Sequence, residues 1–83
     1  MMGLALHQRV ALKRHLPEHQ LRAGDVAYLV GFVPHPGSGE EGGVIEVFNA
    51  LGDSIAVATV PLSDLEALAE DEVLAVRRRG AFP

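Results

Sequence analysis

At 83 residues and 8.8 kDa, 48% of them hydrophobic, the chain suffices for one small domain over residues 1–83 and has no room for a second. The absence of cysteine excludes disulfides, thiolate zinc sites and cysteine nucleophiles together. A net charge of −4 speaks against a protein that coats nucleic acid, and the longest apolar run, 26–33, falls far short of the roughly 20 residues that span a bilayer. Residues 1–6 are too short for the apolar stretch of a signal peptide and lead into His7 and Arg9 rather than a small-residue cleavage site, so a cytoplasmic protein with no membrane partner is expected.

Alternation and β-branched content predict strands throughout. The first, 7–14, sets Val10 and Leu12 on one face and Arg9, Ala11 and Lys13 on the other. Residues 16–24 read as a loop, because Pro17 restricts Leu16 to extended geometry and Gly24 allows a positive φ; Leu16 and Leu21 are its candidate anchors to the core. The second strand, 25–33, is apolar on both faces and therefore central or bent, with Gly31 as the expected bend. Two prolines and four glycines in 34–43 predict an exposed loop. Strands over 44–49 and 54–60 form a hairpin through Ala50-Leu51-Gly52-Asp53. Ser63-Asp64-Leu65-Glu66 matches a capping box, which predicts one or two helical turns through Ala69. A last strand, 72–78, alternates Leu74 and Val76 against Val73, Ala75 and Arg77, and frayed ends are expected over 1–3 and 80–83. The expected architecture is all-β: a small five-stranded SH3-like barrel with a short helical turn before the last strand.

The block Leu16-Pro17-Glu18-His19-Gln20-Leu21-Arg22-Ala23-Gly24-Asp25-Val26 resembles the Leu-Pro-Glu-x-x-Leu-x-x-Gly-x-Val signature of a small uncharacterised bacterial family. The likeness extends to Ile45-Glu46-Val47, to Gly52 and to Thr59-Val60-Pro61, covering most of residues 8–65. Its members look like SH3-like barrels, so the resemblance implies the fold that alternation predicts and carries no established activity. The chain departs from the family pattern at Ala27, where a second glycine is common, in a longer loop at 34–43 and in an apparent insertion at 64–71.

Chemistry-bearing residues are sparse. His15 and His19 stand four apart, a metal-ligand spacing on a helix, but Pro17 between them disfavours a helix, and His7 and His35 belong to other segments; no metal site is expected. Ser38 is flanked by glycines without a nucleophile elbow, and the glycines of 37–43 lack the lysine and helix of a phosphate loop and carry Glu40 and Glu41, so no catalytic residue or cofactor is assigned. Glu46 alternates with Ile45 and Val47 as a solvent-facing strand residue would.

Charge is unevenly distributed. Arg9, Lys13, Arg14 and Arg22 make the first part basic, acidic residues dominate the middle, and Arg77, Arg78 and Arg79 make the tail basic. In an SH3-like barrel the first and last strands are neighbours, so Arg9, Lys13, Arg77 and Arg79 are expected to merge into one basic patch. Aromatic residues for base stacking are few, which makes nucleic acid the weaker partner expectation; the same scarcity argues against a proline-rich-peptide groove. The leading expectation is a non-enzymatic protein-interaction module that self-associates, as a dimer first of all, or accompanies a larger protein. The alternative is a weak nucleic-acid-binding barrel using that basic patch.

Overall fold

A computed structural model of the chain describes residues 3–34 and 39–79. Five strands run through them in chain order: β1 (Arg9–Leu12), β2 (Val26–Val33), β3 (Gly42–Phe48), β4 (Ser54–Pro61) and β5 (Leu65–Ala67). Single 3-10 turns occupy Pro17–His19 and Leu62–Asp64. The strands form one antiparallel sheet in the order β4-β3-β2-β1-β5, so the fold is all-β with a helical turn before its last strand. No helix among the described residues is long and apolar enough to cross a membrane.

Alternation decides which face is buried. Val10, Leu12, Ala27, Leu29, Ile45, Val47, Ala58, Val60 and Leu65 form the core, and their registers put Val10 opposite Ala27, Leu29 opposite Ile45, and Ile45 opposite Ala58. Each large aliphatic side chain buried there contributes about 1.5–3 kcal/mol. Register shifts between Leu29 and Gly31 and between Val47 and Phe48 bend the central strands, the first at the glycine where a bend is expected. The second 3-10 turn then spans the core: the Leu62 N–H donates to the Glu41 carbonyl at 3.1 Å, and the Lys13 N–H to the Asp64 carbonyl at 2.7 Å. Gly43 makes this closure possible, because a Cβ there would lie 2.9 Å from Leu29 Cδ1 and from Leu62 Cδ2.

The loop between β1 and β2 is anchored as its sequence suggests. Leu16 and Leu21 are buried and face each other across an isolated bridge, with Gln20 and Gly24 at positive φ. The β3–β4 hairpin is tied by Asn49, whose Oδ1 accepts from the Leu51 and Asp53 N–H groups at 2.9 Å while Gly52 takes φ 92°.

Two expectations fail at the C-terminal end. The last strand is Leu65–Ala67 rather than 72–78, and the helical segment through Ala69 is a single 3-10 turn ending at Asp64. Leu65 is the cause: opposite Leu12 it fills the core, and Glu66 and Ala67 are drawn into the ladder opposite Ala11 and Val10. The capping box does not form, because the Ser63 N–H and hydroxyl both donate to the Glu40 carboxylate, at 2.7 and 2.9 Å. The expected loop at 34–43 is shorter, since Gly42 and Gly43 already pair in β3. His35, Ser38 and the tail 80–83 lie outside the described residues.

Candidate functional site

The outer face of the sheet carries one rung of opposed side chains. Arg9 on β1 stands opposite Tyr28 on β2, Tyr28 opposite Glu46 on β3, and Glu46 opposite Val57 on β4. Glu46 thus occupies the outer face that alternation assigns to it. Two residues along β3, Phe48 meets Tyr28 edge to face, with ring centroids 5.6 Å apart and planes at 87°. Both rings keep about two fifths of their surface exposed, at 40% and 39%.

The chain beyond β5 runs beside this face, Leu68 and residues 72–79 lining one cleft with Tyr28, Glu46 and Phe48. Beyond β5 the chain reverses in a turn in which the Glu72 N–H donates to the Ala69 carbonyl at 3.1 Å and the Ala69 N–H to Glu72 Oε1 at 2.6 Å. The returning segment is fastened to the β1–β2 loop by two arginines. Arg77 grips Asp25 with two parallel hydrogen bonds, Nε to Oδ1 at 2.8 Å and Nη2 to Oδ2, and its Nη2 also donates to the Gln20 carbonyl. Arg79 donates from Nε and Nη2 to the His19 carbonyl, at 3.3 and 3.0 Å. Between the segment and the sheet lies an open cleft of about 1380 Å³, lined on the sheet side by Ala11, Val26, Tyr28 and Phe48 and on the other by Val73 and Leu74.

Asp25 is the electrostatic centre of this clasp. Partial burial pushes its carboxyl group up. The Arg77 hydrogen bonds, the Arg22 N–H at 2.7 Å and the charges of both arginines outweigh that effect and hold it below the usual carboxylate range. Arg77 is raised in return, chiefly by its hydrogen bond to Asp25 and despite some desolvation. Across the molecule, Arg14 Nε pairs with Asp64 Oδ2 at 2.6 Å beside the second 3-10 turn.

The four cations predicted as one patch are distributed differently from the expectation. Arg9, Arg77 and Arg79 line the same cleft, whereas Lys13 stands outside it just beyond β1. Arg77 and Arg79 reach the cleft from a segment outside the strands, not from a last strand paired with β1. Among the histidines, His15 Nδ1 accepts from the Ala23 N–H at 3.1 Å, and the His19 carbonyl serves Arg79. Sequence reasoning missed Asp25 as the partner of Arg77 because the two are 52 positions apart. It also missed the Tyr28–Phe48 contact, which depends on the β2–β3 register.

The arrangement presents two exposed rings and aliphatic side chains, bordered by Arg9, Glu46 and the clasped Asp25–Arg77 pair. In comparisons with known proteins, the chain matches no family, no curated protein and no solved structure.

Proposed function

We propose that the chain is a non-enzymatic protein-interaction module of the cytoplasm, an SH3-like barrel of the kind its Leu16–Val26 block resembles, and that it self-associates as a dimer. The observation that carries this reading is the exposed apolar surface of the outer sheet face and of the segment beside it. Tyr28, Phe48 and Val57 are exposed on the outer sheet face, and Val73, Leu74 and Val76 on the segment beside it. A monomer rarely leaves so many large apolar groups together in water without a partner surface to cover them. The burial of a thin core over a short chain points the same way, since association is the stabilising device left to a domain without disulfides.

The nucleic-acid alternative draws less support. Two of its four cations, Arg77 and Arg79, are engaged with Asp25 and with backbone carbonyls of the β1–β2 loop, which leaves less charge for phosphate contacts. Sedimentation velocity across the micromolar range tests the leading reading: a concentration-dependent shift to a dimer is expected, and a monomer throughout overturns it. Tight binding to single-stranded RNA or DNA that weakens steeply with salt would favour the alternative.

A further inference from the structure

The segment 73–76 combines a strand-like sequence with a conformation that leaves it unpaired. Its alternation is the reason a last strand is expected there, yet among the described residues its backbone N–H and C=O groups have no hydrogen-bond partner. Its side chains are open to solvent as well, Val73 at 89%, Leu74 at 54% and Val76 at 94%. The segment is nevertheless held at both ends, by the β5 ladder at Ala67 and by the Arg77–Asp25 clasp. A chain fixed in this way has already lost much of the freedom that pairing would cost it.

The sheet has a complementary vacancy. β4 is an edge strand of eight residues, paired only through β3, and carries no charge from Ser54 to Pro61. Natural edge strands of that length are normally blunted by lysine or by an interior proline, and β4 has neither until Pro61 ends it. We propose that residues 72–78 of one copy pair antiparallel with β4 of a second copy, each copy offering its edge and its segment to the other about a two-fold axis. The inference rests on the self-association proposed above and names its interface.

Charge selects the direction and register. Glu70, Asp71 and Glu72 precede the uncharged 73–76, and Arg77, Arg78 and Arg79 follow it, while Asp53 immediately precedes β4. Parallel pairing would bring the acidic end to Asp53. Antiparallel pairing brings Arg78 opposite Asp53, and that register sets Leu74 opposite Val57 and Glu72 opposite Thr59. Arg77 stays with Asp25 in its own copy and Arg78 is the cation presented to the partner.

Disulfide trapping tests this, because the chain has no cysteine of its own. Val57→Cys and Leu74→Cys are made in separate chains of different tag length; both positions are more than half exposed, at 56% and 54%, so neither change opens the core. Opposed residues of an antiparallel pair have Cα atoms about 4.5–5.5 Å apart, within the roughly 4.4–6.8 Å that a disulfide spans. Mixing the two chains under mild oxidation is expected to give the mixed 57–74 cross-link in preference to 57–57 or 74–74. In parallel, Arg78→Glu is expected to weaken dimerisation roughly three- to tenfold and Asp53→Lys to restore it when combined. A dimer by sedimentation that forms no mixed cross-link overturns the strand pairing and leaves the interaction module standing. A monomer overturns both.

Discussion

Asp25 illustrates how a single carboxylate can organise a surface. It accepts from the Arg22 backbone within its own loop and from the Arg77 guanidinium across the molecule, so that one residue both shapes the β1–β2 loop and fastens the C-terminal segment beside the sheet. Because its carboxyl group ionises more readily in the folded chain than in the unfolded one, the folded state binds fewer protons in mild acid. The stabilisation is therefore fully present above the unfolded-state value of about 3.9 and is lost as pH falls through the lower folded value. Asp25→Asn is expected to cost about 1 kcal/mol at neutral pH, the scale of a partly screened ion pair. Urea denaturation over a pH series should show the gap between wild-type and variant stabilities narrowing as the pH is taken below about 3.9; a constant gap would show that Asp25 acts through its shape rather than its charge. None of this was legible from spacing, since the nearby acids Glu70, Asp71, Glu72 and Glu18 were equally available partners for the arginines.

Among the elements, the 3-10 turn Leu62–Asp64 does the most to convert a flat meander into a closed core. It lies between the start of β3 and the end of β1, and only a residue without a side chain leaves room for Leu62 and Leu65 beneath it. Gly43→Val should overpack this point by about 1–3 kcal/mol, with the alanine variant milder, as read from the thermal midpoint; unchanged stability would show that the leucines yield freely. The central strands and the hairpin could be read from the sequence because period-two alternation and turn residues are local signals. So could the anchors Leu16 and Leu21, the two large aliphatic residues of their loop. The last strand could not be read in the same way. Residues 72–78 alternate over more positions than Leu65-Glu66-Ala67, and pattern alone favours the longer run. What decides the matter is the place opposite Leu12, a tertiary requirement satisfied by Leu65 before the chain reaches residue 72. The capping box misled for a related reason: Glu40, 23 positions away, supplies the acceptors that Ser63 uses. At the candidate site, Arg9, Arg77 and Arg79 were recognisable as cations on one side of the molecule, but their partners depended on that same mistaken strand.

For the whole molecule, the sheet order β4-β3-β2-β1-β5 leaves the two newest neighbours in the chain, β4 and β5, at opposite ends of the sheet. The β2–β3–β4 meander can assemble from short-range contacts, whereas β5 and the segment behind it must wait for β1 to be in place. The Arg77–Asp25 clasp joins residues 52 positions apart and, on that sequence separation, is expected to close last. Its consequence is kinetic. An interaction formed after the rate-limiting barrier slows escape from the native state without hastening arrival. Stopped-flow measurements on Asp25→Asn are accordingly expected to show a faster unfolding limb and an unaltered refolding limb, and a slowed refolding limb would place the clasp within the nucleus. The clasp then acts as a latch on a finished fold: it sets how long the C-terminal segment stays beside the sheet once the strands have formed.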